Sequence, residues 1–281
     1  MRVAVVGHVE WIEFARVERV PAPGEIVHAL EVWEEPGGGG AVAAGQMARL
    51  AGEAVFFTAL GDDALGHRAH DALTELGIRV EAAWRDEPQR RGFVFVDDAG
   101  ERTITVIGDR SGPSGHDPLS WEQLAEMDAV YFTAGDPAAV RATRAARTMV
   151  ATPRGLETLV EAGVQLDALV ASANDPGERY ARGDLRPEPE LVVRTAGAGG
   201  GEWEREDGET GRYAASPPTG PIADAYGCGD SFAAGLTVGL GQGMEVREAL
   251  ELAARCGAAC LTGHGPYAGQ LTAAEVGAPF S

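Results

Sequence analysis

Residues Gly227, Cys228, Gly229, Asp230, Ser231 and Phe232 place two glycines directly before an apolar run with helical spacing, with a carboxylate directly after the second glycine. Small residues let backbone N–H groups approach a ligand. The first turn of a helix adds unpaired N–H groups and a dipole that favours an anion. Phosphate oxygens suit such a place. The aspartate has two readings. It can cap an ordinary tight turn. It can also act as a general base, taking a proton from an attacking hydroxyl while the amides hold the charge that grows on a phosphoryl group. On the second reading the backbone amides of the glycine turn form an anion hole beside Asp230. The run is neither GxxxxGK[ST] nor a strand-linked GxGxxG, so it carries neither a P-loop nor a dinucleotide signature.

Cys256, Cys260 and His264 are a second constellation. A spacing of four puts both cysteines on one helical face. Zinc would need a further ligand or a water. The surrounding apolar residues Leu252, Ala253, Ala259 and Leu261 favour a buried thiol pair. Asp62 and Asp63 read as solvent-facing turn residues, and Asp97, Asp98 and Glu101 as a solvated turn between two strands.

The elements that must position these groups alternate. RVAVVGHV (2–9), AVFFTAL (54–60), DAVYFTA (128–134), TMVATP (148–153), DALVASAND (167–175) and ELVVRTAGAGG (190–200) read as strands. Helical patterns fall between them, at 37–51 after a glycine turn and at 64–76, 138–147 and 155–162. Two more follow, at 230–240 and 244–260. This βα alternation predicts a mostly parallel sheet covered by helices. GFVFV (92–96) and RTITVI (102–107) flank an acidic, glycine-ended turn and read as a hairpin that could cover a site. Ligands of such sheets collect beyond the carboxyl ends of the strands. Those ends hold Gly7-His8, Gly135-Asp136, Asn174-Asp175 and Thr195 to Gly197.

The chain has 281 residues, 44% of them hydrophobic, enough for one large core. Its 43 acidic and 23 basic residues give a formal net charge of −20, which argues against a protein that tracks a nucleic-acid backbone. A small anion can still be held by a local ring of amides. Three cysteines cannot all pair, and MRVAVVGHV reads as a first strand, not a signal peptide. No stretch is long and apolar enough to span a membrane. The expectation is a reduced, cytoplasmic protein with no membrane or nucleic-acid partner, monomeric or homodimeric.

Asp224, Ala225, Tyr226, Gly227, Cys228, Gly229 and Asp230 resemble the D-T-x-G-A-G-D signature of the PfkB/ribokinase family of carbohydrate and nucleoside kinases. The glycine run at 37–40 with its helix to Gly52, the segment 59–66 and "VPAPGE" at 20–25 are similar to the family's N-terminal features. The resemblance covers essentially the whole chain. It implies a single-domain (1–281), three-layer α/β sandwich with a mostly parallel central sheet and a small β lid, from segments of about 10–35 and 90–110. It implies ATP as phosphoryl donor, Mg²⁺, and a hydroxyl-bearing small molecule as acceptor. Asp230 would be the base. Thr195, Gly197 and Gly200 would fall in the family's T-x-G-x-x-G segment near the ATP phosphates. Asn174 would fall near its N-x-x-E motif, which orders Mg²⁺ and phosphates. The loops around Cys256 and His264 would lie near the nucleotide base. Many relatives also use a monovalent cation such as K⁺ near the anion hole.

The departures cluster on the acceptor side, where His8, Glu10, Ile12, Gly38, Gly39 and Val42 would line the site. Glu10 and Ile12 stand where the family often has Asn and Asp, and Val42 stands where a polar side chain often follows the glycines. A lost hydrogen-bond partner costs about 1–3 kcal/mol, enough to change the acceptor. His8, Trp11 and Trp33 could flatten the pocket, and an aromatic wall would favour a nucleoside. A phosphosugar is less favoured, because the pocket segments offer few Lys or Arg side chains, with Arg110 an exception. The N-x-x-E segment reads Asn174, Asp175, Pro176, Gly177, Glu178, with the glutamate one place late. Either a loop shift restores Glu178, or Asp175 takes its part, or metal handling is weak. Three functions therefore stay open: an ATP-dependent kinase of a sugar or sugar-like alcohol, a nucleoside kinase, and a catalytically weak regulatory binder. The retained Asp230 speaks against the last.

Overall fold

In β1 (Val3–Val6) every side chain is buried, and alternate residues leave on opposite faces. Val3 and Val5 join one apolar cluster, while Ala4 and Val6 join another. A strand buried on both faces needs a layer of helices above and below it. The computed structural model describes residues 1–277 and has this arrangement.

After β1 the chain forms β2 (Glu10–Arg16), β3 (Glu31–Gly37), α1 (Gly39–Ala51), β4 (Ala54–Gly61), α2 (Ala64–Glu75) and β5 (Ile78–Arg85). It continues through β6 (Arg91–Val96), β7 (Arg102–Ile107), β8 (Ala129–Phe132), α3 (Pro137–Thr143), β9 (Thr148–Ala151), α4 (Leu156–Ala162), β10 (Ala168–Ser172) and β11 (Leu191–Thr195). The last elements are β12 (Gly201–Arg205), β13 (Thr210–Tyr213), α5 (Cys228–Gly241), α6 (Val246–Cys260) and α7 (Ala273–Val276).

Nine strands form the main sheet in the order β13-β12-β11-β10-β9-β8-β1-β4-β5. The seven from β11 to β5 are parallel, and β12 and β13 add an antiparallel hairpin at one edge. The sheet separates two cores. One holds residues of α1, α5 and α6, the other residues of α3 and α4. This is the expected three-layer α/β sandwich with a mostly parallel sheet.

A second sheet, in the order β3-β2-β6-β7, stands over the carboxyl end of β1 as a small lid. The hairpin expected at 92–107 is present as β6 and β7. The sheet has its own apolar cluster of Ile12, Phe14, Val94 and Val96, closed by Val42 of α1 and by Tyr226. Asp63 differs from the expected solvated turn residue. Its carboxylate caps α2 by accepting from the N–H groups of Leu65 (3.0 Å) and Gly66 (2.8 Å), and it also accepts from Gln89 N–H. It thereby ties α2 to the chain entering β6.

Candidate active site

Two helices begin at the same point. Gly38, with φ +85°, caps α1, and Gly227, with φ +80°, caps α5; neither end has a side-chain cap. L-residues with side chains rarely adopt this backbone. The first N–H groups of both helices are therefore left for a ligand, with both dipole ends positive. Asp230 sits in the first turn of α5 with its carboxylate against the first residue of α1: a Cβ on Gly39 would lie 2.7 Å from Asp230 Oδ1. Nothing lies within 4 Å of a Cβ placed on Gly229, so the α5 end is open on that side. Burial raises the Asp230 pKa, while Arg102, Arg154 and Arg110 draw it down. Cys228 lies beside Cys260, and that contact together with burial pushes its thiol up, away from the thiolate. This agrees with packing and not nucleophilicity.

On the lid side, His8 ends the turn after β1. A Cβ on Gly38 would lie 3.2 Å from its Nε2. Its Nδ1 accepts from Arg110 Nε (3.3 Å) and Nη2 (3.2 Å), and Thr133 Oγ1 is 3.3 Å away. Arg110 Nη2 also donates to the Thr133 carbonyl (3.1 Å). Burial and the neighbouring arginines hold the His8 pKa well below its usual value, so the ring is neutral. Glu10 faces Arg90 Nε at 2.9 Å and His8 Nε2 at 3.7 Å. Burial raises the Glu10 pKa against the pull of Arg90 and Arg110. The arginines are the residues that sequence reasoning missed. Arg110 alone stands out in the sequence; Arg90 is the first residue of the lid segment 90–110, and Arg154 lies outside it.

Ile12 and Val42 are fully buried and pack together with Tyr226 in the lid cluster. A Cβ on Gly227 would lie 2.8 Å from Val42 Cγ1, which puts Val42 under the 227–230 turn. Trp11 leaves β2 on the opposite face from Glu10 and Ile12, with the Arg68 guanidinium 4.4 Å from its ring centroid. Trp33 stacks on Phe14 at 4.9 Å and meets His264 edge-on at 5.9 Å. Trp11 therefore does not supply the aromatic wall that would favour a nucleoside.

On the other side of Asp230, Arg154 gathers the shifted carboxylates. It pairs with Asp175 and, through Nε at 2.9 Å, with Glu178 Oε1. Asp175 is taken up further by an N–H bond from Gly177 (2.8 Å). Glu178 Oε2 takes part in no hydrogen bond or ion pair among the described residues. Burial raises its pKa, with Asp230 contributing in the same direction. Asn174 is exposed on the same loop. Thr195 ends β11 with its hydroxyl on the Ala171 carbonyl (3.4 Å), and Gly197 is exposed beside it. Gly200 is buried against the Tyr213 carbonyl of β13. Cys256 is buried between α5 and α6, 2.8 Å from a Cβ placed on Gly235, whereas His264 is exposed near Trp33. Cys256 and His264 are thus not brought together, and no cluster of three metal-ligating side chains occurs among the described residues. A Mg²⁺ that keeps waters and arrives on nucleotide phosphates fits such a donor set, whereas a protein-only cage would not.

The profile of the pfkB family carbohydrate kinases matches residues 1–153 and 178–273. The chain belongs to the pfkB family of carbohydrate kinases. It is a kinase of that kind, carrying out ATP-dependent phosphoryl transfer to a sugar or nucleoside hydroxyl. The break in the match, 154–177, holds Arg154, Asn174 and Asp175. The kinase is 28% identical to the ATP-dependent ribose-1-phosphate kinase of Halopiger xanaduensis, over 92% of this chain and 91% of that one. It is 27% identical to a fructokinase of Klebsiella pneumoniae, over 82% and 87% of the two chains. The ribokinase structure from Thermotoga maritima superposes with a TM-score of 0.77 at 20% identity, covering 98% of this chain and 97% of that one. No helix among the described residues is long and apolar enough to cross a membrane.

Proposed function

We propose that Asp230 is the general base of an ATP-dependent kinase whose acceptor is a sugar or sugar-like alcohol. The observation that carries this is the meeting of Asp230 with Gly39 at two glycine-capped helix starts. The acceptor lies between His8, Gly38 and the lid. The nucleotide lies along 195–200 and 227–230. Burial raises the Asp230 pKa, which makes it a better proton acceptor than an exposed aspartate. The N–H groups of Gly227, Cys228 and Gly229 hold the charge that grows on the moving phosphoryl group. Mg²⁺, when bound with the nucleotide, supplies further neutralisation of phosphate charge. Glu178 would be the counterpart of the family's glutamate and would help hold the Mg²⁺ with the nucleotide, with Asp175 serving to hold Arg154.

The relatives' names set the acceptor panel: ribose, fructose and ribose 1-phosphate, with adenosine for the nucleoside reading. ADP release on mixing with each tests the proposal. Acceptor-dependent turnover with a sugar or sugar phosphate supports it. Turnover with adenosine alone, or with none, overturns it.

A further inference from the structure

The chain is strongly acidic, with 43 Asp and Glu against 23 Lys and Arg, yet arginines collect at the acceptor side of this site. Arg90 follows β5 and Arg110 follows β7, so the two come from separate segments and meet at the carboxyl ends of β1 and β8. Arg90 pairs with Glu10 Oε1 through its buried Nε at 2.9 Å, at an angle that does not make a hydrogen bond. Arg110 forms no ion pair with any carboxylate among the described residues. Its guanidinium donates to two neutral acceptors, His8 Nδ1 and the Thr133 carbonyl. His8 is neutral, so the Arg110 charge has no carboxylate in contact with it in this half-buried wall, only the longer-range fields of Glu10 and Asp230. Such a charge is costly unless a ligand meets it. Asp230 is close along the same wall, since the Cβ position of Gly39 lies 2.7 Å from Asp230 Oδ1 and 3.7 Å from Thr133 Oγ1.

We infer that the acceptor is a sugar monophosphate, with its phosphate on Arg110 and Arg90. The inference rests on Asp230 being the base of the proposed kinase. With Nε and Nη2 of Arg110 engaged by His8 and Thr133, its Nη1 is the group that donates charge-assisted bonds to the phosphate, so Arg110 acts as the residue that selects phosphorylated acceptors. Ile12 and Val42 are buried and apolar and offer an acceptor no hydrogen bond, so the phosphate supplies affinity that these positions do not. In the reaction the acceptor oxygen bonds to the γ-phosphorus, the bond from that phosphorus to ADP breaks, and the hydroxyl proton passes to Asp230. The products are a sugar bisphosphate and ADP. A reaction that forms a sugar monophosphate must supply the substrate, and one that takes a sugar bisphosphate must consume the product.

The test compares ribose 1-phosphate and ribose 5-phosphate with ribose, in the wild type and in Arg110→Met and Arg110→Lys. The wild type should prefer at least one phosphate over ribose in kcat/KM by about 100-fold, and Arg110→Met should reduce that ratio about 10- to 100-fold. Arg110→Lys should recover part of it, which separates loss of charge from loss of fold. Calorimetric binding of the same sugar phosphates to Asp230→Asn gives a readout that needs no turnover. Binding that Arg110→Met abolishes supports the inference even if the base assignment fails. Equal use of ribose and its phosphates, binding of neither phosphate, or an equal loss of kcat with every acceptor in Arg110→Met would overturn it. The last result would place Arg110 on the transferred phosphoryl group and leave Asp230 as base.

Discussion

Glu35 joins the lid to the anion-hole loop and should make the fold sensitive to pH. It lies on β3, with its carboxylate against Gly265 and facing Asp224. Asp224 is buried and accepts from the N–H groups of Tyr226 (2.8 Å) and Gly265 (3.1 Å), which fixes the chain leading to Gly227. Burial, with Asp224 adding to it, pushes Glu35 up from 4.5 to about 7. Below the unfolded value the group is protonated in both states and costs nothing. As pH rises from about 4.5 to about 7, the unfolded chain ionises first and folded stability falls. Above about 7 the loss is complete and constant. A shift from 4.5 to about 7 corresponds to up to about 3 kcal/mol. Glu35→Gln removes the titration, so at pH 8 the variant should exceed the wild type by up to about 3 kcal/mol, or roughly 6 °C in Tm for a chain of this size. At pH 4.5 the two should coincide. Urea unfolding followed by tryptophan fluorescence at both pH values measures this. An equal difference at the two pH values, or none, would refute the raised pKa of the buried Glu35.

Three other perturbations probe the site. Arg102 draws the Asp230 pKa down from the loop side, so Arg102→Met should move the acid limb of kcat/KM to higher pH while activity still rises with pH; a pH–rate profile with an unmoved limb contradicts this. Gly39→Ala puts a methyl 2.7 Å from Asp230 Oδ1 in the first turn of α1. Turnover should fall about 100-fold, as expected for a misplaced catalytic group, while the unfolding midpoint holds. Val42→Asn places a polar amide among Ile12, Tyr226 and Gly227, and should cost about 1–3 kcal/mol in denaturant unfolding without creating a preference for ribose over its phosphates.

The βα alternation was legible because β1, β4, β8 and β11 are short apolar runs with glycine or polar ends, and the apolar stripe of α6 has a clear helical period. The edge hairpin was not read. In β12 only Trp203 is buried, and Glu202, Glu204 and Arg205 hide the alternation, as solvent-facing edge strands do. β3 is blurred by composition too, since EVWEEPG carries three glutamates and its two buried residues are the terminal Pro36 and Gly37. Within the site, Asp230 and its glycines announced themselves by spacing. The arginines did not. Arg90, Arg110 and Arg154 leave three unrelated loops and meet only once the sheet is assembled, so no local pattern connects them. Trp11 misled for a simpler reason: a one-residue step along β2 reverses the face, and it placed the ring under Arg68 and away from the acceptor.

The central claim is that Asp230 removes the acceptor proton. Asp230→Asn keeps the size of the side chain and its contact with Gly39 but cannot accept that proton. Single-turnover transfer of the γ-phosphoryl group should fall by a factor of about 10²–10⁴, the usual weight of general-base catalysis, with nucleotide affinity retained. Transfer at an unchanged rate in the Asp230→Asn enzyme would contradict the account.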